Sequence, residues 1–346
     1  MMWQFSIVSD YGKIFSEPYI SEWMDLYRNA DTHVFNHPGL IRAWIDTFGK
    51  VHDIRLLWIE GISKNGGKTL WPLVIWHRNW KNAFMRVVMP AGGSDYDYHT
   101  PLISKPCDVD EYFQELMSYI VANIKFDELA LSGIPSSFFQ DYNESGWIRG
   151  EICPALNISE MKSSDDLFAF LKTSLRGDLR RQMRRMEEMG PVSMTQIKTY
   201  KEAMVEYEAF IEAHCQRWPN AYKVPGFHKE LMSDELLSSV VNFSVLKIGD
   251  FSAAWHLGFE DKGIFYYYMP AGNPDFSRLS PVKVHLFKLI ERAICRGYKT
   301  YDHLRGEENY KSGWSDITQY VCSKNVNVGN PLSILKRSIL NIRKFV

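Results

Sequence analysis

The sequence predicts an α/β protein with mixed sheets, made of two halves that share one order of elements. Its 346 residues exceed one typical hydrophobic core and suit two domains. Each half shows three strand-like runs, a loop, a helix-like run and a further strand, and a strongly helical stretch, 164–217, lies between them. We therefore place an N-terminal domain over 1–155 and a C-terminal domain over 156–346.

The first half begins with a short apolar strand, QFSIV, and continues with a helix over about 36–50. Apolar residues recur at helical spacing in that helix, and Pro38 stands near its start. The turn-rich stretch 61–68 joins two apolar runs, which predicts a β-hairpin over 54–76. The rest of this half is predicted as a strand at 85–90, a helix at about 109–124 and a strand at 126–134.

The second half repeats that order with different residues. Two apolar runs flank a tight turn at Gly249-Asp250 and predict a hairpin over 240–260. The following elements are predicted as a strand at 263–270, a loop, a helix at about 281–296 and a strand at 298–304.

Composition and charge argue against several classes of protein. The formal net charge of -1 gives no broad field that would attract nucleic acid or an anionic membrane. The five cysteines are odd in number and form no CxxC pair, which argues against zinc and a disulfide framework and favours a cytoplasmic location. No secretory leader and no apolar run of about 18 residues is present, so no membrane span is predicted.

Polar and charged side chains crowd together where the last predicted strand ends. Asp302 closes that strand, and Gly306 permits a turn that a side chain would oppose. Strand ends in α/β folds are common ligand sites. The crowded residues are His303, Arg305, Glu307, Glu308, Tyr310 and Lys311.

This segment, DHLRGEENYKSGW, resembles the D-F-L-R-G-x-x-x-Y-K-x-x-W signature of the CelD-like, BioF2-like acetyltransferase family. His303 departs from the usual Phe, and Asn309 stands where Pro is common. LRRQMRRMEEMGPV is similar to the basic helix of that family, HCQRW to its His-x-x-Arg-Trp, and NHPGLIRAW to its N-terminal region. The resemblance covers about 35–315.

The resemblance implies tandem domains of the acyl-CoA-dependent N-acetyltransferase (GNAT) superfamily, related to the peptidyltransferases of cell-wall bridge synthesis. It implies an acyl-CoA donor whose pantetheine arm lies along a splayed strand, with its diphosphate at the start of the next helix. The resemblance identifies that strand as 263–270. In the first turn of the next helix, Val282 stands where the family often has glycine. The implied cofactor-binding residues are Tyr267, Tyr268, Met269, Arg278, Ser280, Val282 and Lys283.

The implied acceptor is a nucleotide-linked amino sugar, acylated for a capsule, an O-antigen or another surface polysaccharide. In the basic helix, Arg180 and Arg184 share one face and are candidates for an acceptor phosphate; a solvated face with internal ion pairs and a nucleic-acid site are the alternatives. The loop 92–103 is a candidate wall of the acceptor site, with a polar loop as the alternative. The predicted substrate-binding residues are Tyr96, Asp97, His99, Arg180, Arg184, Arg217, Trp218, Arg305, Glu308 and Lys311.

The predicted reaction is direct attack of an amine on a thioester, with no metal ion. Asp302 or His256 is the expected base, although a histidine on a strand also suits a core position, and Tyr310 is the expected proton donor to the thiolate. Two rival functions remain open: transfer from aminoacyl-tRNA to a peptidoglycan precursor, and a non-catalytic binding module. The tail 329–346 predicts an amphipathic basic helix that docks its Leu and Ile face on the body, with peripheral membrane contact as the alternative.

Overall fold

The protein forms two compact units. The first unit contains Met1–Glu151 and Tyr320–Val346, and the second contains Ile152–Gln319. The computed structural model describes residues 2–139, 146–219, 221, 224–233 and 239–343.

Strands and helices alternate along the described residues. The strands are β1 (Trp3–Val8), β2 (Asp53–Ser63), β3 (Lys68–His77), β4 (Arg86–Pro90), β5 (Leu102–Ile103), β6 (Glu128–Pro135), β7 (Ile148–Asn157), β8 (Val192–Ile197), β9 (Val241–Ile248), β10 (Phe251–Asp261), β11 (Ile264–Gly272), β12 (Thr300–Asp302) and β13 (Ile317–Asn327). The helices are α1 (Tyr11–Ile14), α2 (Tyr19–Asn29), α3 (Pro38–Val51), α4 (Val109–Asn123), α5 (Ser164–Phe170), α6 (Thr173–Glu187), α7 (Tyr200–Arg217), α8 (Phe227–Ser233), α9 (Pro281–Cys295) and α10 (Pro331–Arg343).

The sheet of the first unit has the strand order β1-β2-β3-β4-β6-β13, and β5 pairs with β3. All neighbours run antiparallel except β4 and β6, which run parallel. A parallel pair needs a crossover connection, and α4 supplies it. The Asp108 carboxylate caps α4 by accepting from the Glu111 N–H at 3.0 Å. Phe113 and Leu116 of α4 pack into the apolar core of this unit with Trp71 of β3.

The second unit repeats this arrangement with the strand order β7-β12-β11-β10-β9-β8. Only β11 and β12 run parallel among the pairs described there. The crossover is α9, which has Pro281 in its first turn, where a missing N–H costs no hydrogen bond. Val284 and Leu286 of α9 belong to the core that also contains Phe265 of β11.

The predicted α/β class with mixed sheets and the predicted order of elements are confirmed in both halves, with end residues that differ by one to three positions. The predicted strongly helical region, 164–217, contains α5, α6 and α7 and also a strand that was not predicted, at 192–197. That segment forms β8, which pairs with β9 from Val192 opposite Ile248 to Ile197 opposite Phe243. Pairing with a distant strand overrides the local preference here.

The C-terminal segment belongs to the first unit, whereas the sequence division assigned it to the second. β13 pairs with β6, and Ser333 and Lys336 of α10 both bond to the carboxylate of Asp127, Lys336 at 2.8 Å. The predicted boundary between two domains near residue 155 stays a prediction. The expected docking of α10 through its Leu and Ile face is wrong for Leu332, Ile334 and Leu335, whose side chains are exposed. Among the helices of the described ranges, none is long and apolar enough to cross a membrane.

Candidate active site

The sheet of the second unit opens between β11 and β12. Their parallel pairing covers three residue pairs and ends at Tyr266 and Asp302, while β11 continues to Gly272 alongside β10. Beyond Asp302 the chain turns towards β7, where the His303 N–H donates to the Pro154 carbonyl oxygen at 2.9 Å. Within the described residues, the edge of β11 after Tyr266 therefore has no strand partner on the β12 side.

Stacked aromatic rings lie beneath this opening. His256 stacks on Tyr267 with ring centroids 4.6 Å apart, and Phe265 stacks on Tyr301 at 4.8 Å. Tyr267 also meets the edge of the His303 ring at 6.1 Å. All five side chains are buried, so the floor of the opening is a packed aromatic layer.

His256 lies within this layer. It is fully buried, and neither ring nitrogen has a hydrogen-bond partner among the residues that the structure describes. Burial lowers the pKa of His256 well below its ordinary value, and His285 and Arg292 lower it further, so the imidazole is neutral at pH 7. Gly258 leaves room for the ring, because a Cβ at that position would lie 2.3 Å from His256 Cε1 and 2.4 Å from the Tyr266 carbonyl oxygen. The role of His256 as a base stays a prediction.

Asp302 lies at the point where the parallel pairing ends. Its side chain is buried, and its Oδ1 accepts from the Leu304 N–H at 2.7 Å. Leu304 has φ +60°, a left-handed conformation that a non-glycine residue adopts only when its surroundings hold it there. The Asp302 carboxylate thus fixes the turn by which the chain leaves β11.

Tyr310 and Tyr267 are two phenols whose pKa values respond to the charge of Arg217. Burial raises the pKa of Tyr310, the Glu308 carboxylate raises it further, and the Arg217 guanidinium opposes both. The same guanidinium opposes the rise in the pKa of the buried Tyr267 hydroxyl, so it influences both phenols. Tyr310 keeps its proton at neutral pH, which suits a proton donor. Arg217 ends α7, and Trp218 follows it with its ring centroid 5.6 Å from the guanidinium.

The loop after β12 is held by its own residues. Lys311 is buried, donates to the Arg305 carbonyl oxygen at 2.7 Å and pairs with Glu308 at 2.9 Å. Gly306 has φ +125°, and a Cβ there would lie 2.3 Å from Glu308 Oε2. These contacts give Lys311 and Glu308 a structural role, and the predicted substrate contacts of Arg305, Glu308 and Lys311 stay predictions.

The start of α9 lies beside the end of β11. Ser280, the residue before the first turn, has φ +51° and makes no side-chain capping bond within the described part of the chain. Val282 packs against Gly272, since a Cβ on that glycine would lie 2.7 Å from Val282 Cγ2. Lys283 pairs with Asp178 of α6, whereas Arg278 is exposed. Their predicted contacts with a diphosphate stay predictions.

The basic helix α6 buries one stripe and exposes its arginines. Leu179, Gln182 and Met186 form the buried stripe. Arg180 lies over the Phe168 ring at 5.1 Å, and Arg184 pairs with Glu188 at 3.7 Å. These local contacts favour the solvated face among the alternatives for this helix, and the binding of an acceptor phosphate stays a prediction.

Tyr96, Asp97 and His99 lie in the first unit. Tyr96 and His99 are buried, and the Tyr96 hydroxyl donates to the Leu40 carbonyl oxygen at 2.6 Å. His99 Nε2 lies 2.8 Å from the Gly93 carbonyl oxygen. These contacts place two of the three side chains in the core of their own unit, and their part in acceptor binding stays a prediction.

Three histidines of the second unit have no role in the predicted reaction, although His303 falls among the polar residues predicted to crowd after the last strand. His303 Nε2 lies 3.0 Å from the Trp314 carbonyl oxygen and its Nδ1 has no partner, while His228 lies 6.3 Å from the Tyr268 ring. His214 lies on α7, one turn before Arg217. It is the first residue of the HCQRW motif, so the sequence pattern could have identified it as a candidate site residue. His228 has no motif around it, so only packing identifies it. In the described part of the chain, no group of three or more His, Cys, Asp or Glu side chains is arranged to hold a metal ion.

Residues 173–312 match the model of a family described as an acetyltransferase (GNAT) domain. No curated protein matches the sequence. Among solved structures, FemX is similar with a TM-score of 0.62 and 10% identity, over 91% of this chain and 98% of FemX. A conserved protein of Bacteroides thetaiotaomicron VPI-5482 has a TM-score of 0.56 and 10% identity, over 92% of this chain and 99% of that one. A tandem GNAT protein from the clavulanic acid biosynthesis pathway has a TM-score of 0.51 and 7% identity, over 95% and 100%.

At these identities the likeness to solved structures shows the fold alone, and the closer resemblance to the CelD-like family stays a prediction. The second unit thus contains the match to a GNAT acetyltransferase domain, and the chain has the mixed α/β fold of tandem GNAT proteins.

Proposed function

We propose that this protein is an acyl-CoA-dependent N-acyltransferase that acylates the amine of a nucleotide-linked amino sugar, for the synthesis of a surface polysaccharide. The opening between β11 and β12 is the observation that carries the proposal. In the described ranges the pairing of β11 with β12 ends at Tyr266 while β11 continues, and an extended chain with amide groups is the ligand that an open strand edge accepts. The pantetheine arm of an acyl-CoA has this chemistry.

The donor lies along β11 with its diphosphate directed towards the first turn of α9. The positive end of α9 and the exposed Arg278 favour an anion there. Lys283 contributes only when it exchanges its ion pair with Asp178 for the phosphate. Backbone N–H groups over 266–269 stabilise the oxygen that becomes negative during attack.

The reaction is direct attack of a neutral amine on the thioester. The amine nitrogen bonds to the carbonyl carbon, the carbon–sulfur bond breaks, the nitrogen loses one proton and the thiolate gains one. Tyr310 gives a proton to the thiolate as the carbon–sulfur bond breaks, because a phenol carries its proton at neutral pH. Asp302 receives the amine proton in preference to His256, since Asp302 ends β12 at the opening and His256 is enclosed between Tyr267 and Phe265.

The acceptor approaches past Arg217, whose guanidinium offers two parallel N–H donors to a phosphate or carboxylate.

The test supplies the full-length protein with acetyl-CoA and longer acyl-CoAs, together with a panel of nucleotide-linked amino sugars, and follows release of free thiol. We expect thiol release that requires both substrates. If no acyl-CoA binds and no sugar of the panel is acylated, the proposal is wrong.

A second candidate is transfer of an aminoacyl group from tRNA to a peptidoglycan precursor. The packing of Val282 against Gly272 favours it, because an apolar side chain at the start of α9 keeps a diphosphate from close approach to the backbone. Binding of aminoacyl-tRNA by a protein that binds no CoA decides for this candidate. Binding of CoA with a dissociation constant unchanged by competing tRNA decides against it.

A further inference from the structure

The C-terminal helix α10 of the first unit is attached through its polar side chains. Lys336 Nζ donates to Asp127 Oδ2 at 2.8 Å, and the Ser333 hydroxyl donates to Asp127 Oδ1. Arg337 donates to the Asp127 and Val328 carbonyl oxygens at 3.2 and 2.9 Å. Asp127 is completely buried, so this polar cluster replaces the apolar contacts that normally seat an amphipathic helix.

The apolar side chains of the first turns of α10 consequently face solvent. Leu332 is 58% exposed, Leu335 57% and Ile334 49%. Leu332 and Leu335 are three residues apart and lie on the same side of the helix. A stable helix whose Ser333, Lys336 and Arg337 side chains bond to the rest of the unit while its Leu332, Ile334 and Leu335 are exposed has an apolar surface available to a partner.

A strained aromatic turn lies next to this surface. Lys336 Nζ also donates to the Phe84 carbonyl oxygen at 3.0 Å, which places the turn at Trp80–Phe84 beside α10. Ala83 and Phe84 both have φ +52°, a conformation that costs a non-glycine residue roughly 1 kcal/mol. The turn projects its two rings outwards, with Trp80 60% and Phe84 65% exposed. We call Trp80, Phe84, Leu332, Ile334 and Leu335 the α10 patch.

The charge around the α10 patch is positive. The Arg86 and Lys336 side chains pair with the carboxylate of Asp127, and Arg337 donates to the Asp127 carbonyl oxygen, so three cations lie around one carboxylate. The sequence 329–346 contains Lys and Arg but no Asp or Glu. The nearly neutral chain as a whole therefore carries a local basic surface beside its exposed apolar residues.

We infer that the α10 patch attaches the protein to the surface of an anionic lipid bilayer. Exposed Trp, Phe and Leu side chains enter the headgroup region, and nearby cations are attracted to anionic lipid. A second copy of this chain suits the surface less well, because a two-fold contact would bring the two basic patches against each other. The inference is independent of the proposed enzymatic activity.

The test is co-sedimentation of the full-length protein with vesicles. One set contains equal parts of phosphatidylglycerol and phosphatidylcholine, and the other contains phosphatidylcholine alone. We expect binding to the anionic vesicles that weakens at high salt, and little binding to the neutral ones. The double variant Leu332→Ser, Leu335→Ser is expected to bind anionic vesicles about tenfold more weakly, as is Trp80→Ser.

Val205→Ser is the matched control, because Val205 is 78% exposed on α7 of the second unit, outside the patch. It is expected to bind vesicles like the wild type, and thermal unfolding of each variant confirms that the fold is retained. Wild-type protein that stays in the supernatant with both vesicle types overturns the inference. So does a homodimer in solution that the Leu332→Ser, Leu335→Ser variant dissociates, since the patch then binds a second copy.

Discussion

The two units have the same order of elements, but they differ in the loop that precedes the crossover helix. That loop follows β4 in the first unit and β11 in the second, and it bonds to a different neighbour of that strand in each unit. In the first unit that loop returns over β6, the parallel partner, where the His99 N–H donates to the Gly133 carbonyl oxygen at 2.9 Å. In the second unit it bonds to β10 on the other side, where the Asn273 N–H donates to the Ala253 carbonyl oxygen at 2.9 Å. The first unit thereby closes its sheet beside the parallel pair, and the second leaves an edge of β11 open.

This difference shows that element order alone does not create a binding edge. Gly133 permits the closure, because a Cβ there would lie 2.7 Å from His99 Cδ2. In the second unit, the corresponding side of β11 is bordered by Tyr310 and the turn that Asp302 fixes. The two units therefore differ at this edge of the sheet although they share one order of elements.

The largest expected difference between the units is in acid stability. Burial lowers the pKa of His214 and His303 to about 4 and that of His228 and His285 to about 3, and His256 is lowered as well. In the unfolded chain these groups bind protons below about pH 6.5, so folding stability falls as pH drops through that value, by up to about 1.4 kcal/mol per pH unit for each group. Hydrogen exchange resolved by peptide is expected to show loss of protection in the second unit between about pH 6.5 and 4.

The first unit is the comparison in that measurement, and burial lowers the pKa of its own His52 as well. Burial alone would raise the pKa of Asp127, but hydrogen bonds from Lys336, Ser333 and Arg86 hold the pKa of Asp127 below its ordinary value. Its stabilising contribution is complete above about pH 4 and is lost only at lower pH. Simultaneous loss of protection in both units would contradict the expectation.

Asp127→Asn is expected to destabilise the first unit by about 3 kcal/mol, because Lys336 and Arg86 lose a buried counter-charge. Chemical denaturation monitored by hydrogen exchange measures this, and α10 should lose protection first. Asp53→Asn is the control, since the exposed pair of Asp53 with His77 contributes little. An equal effect of both variants would show that Asp127 does not anchor α10.

Tyr310→Phe is expected to lower kcat about a hundredfold with little change in KM for the acyl donor, because the phenol acts only when the thiolate leaves. Steady-state thiol release measures both constants. Tyr200→Phe, at the exposed start of α7, is the matched control. Wild-type kcat in the Tyr310→Phe variant would remove this residue from the mechanism.

Arg217→Gln is expected to raise KM for the acceptor about tenfold, whereas Arg184→Gln should change it less than about twofold. Arg217 acts on Tyr267 and Tyr310, while Arg184 is paired with Glu188 on an exposed helix face. Initial rates at varied acceptor concentration separate the two. A tenfold rise from Arg184→Gln would assign the acceptor phosphate to the basic helix instead.

The candidate site shows where sequence patterns succeed and where they stop. The DHLRGEENYKSGW segment correctly locates the loop after β12, and HCQRW locates Arg217 at the end of α7. The pattern does not distinguish a residue that meets ligand from one that holds the loop. Lys311, predicted to bind substrate, is buried and bonded to the Arg305 carbonyl oxygen.

By itself, the sequence determined the class of fold, the repeated element order and the ends of α4 and α9, because periodicity, turn residues and Pro281 act over a few neighbouring positions. Only the tertiary structure decided the strand partners, the formation of β8, the seating of α10 on Asp127 and the opening beside β11. These depend on contacts between residues far apart in the chain, such as Lys336 with Asp127 and Ser244 with His285. Their free energy exceeds local preference once the groups are buried together.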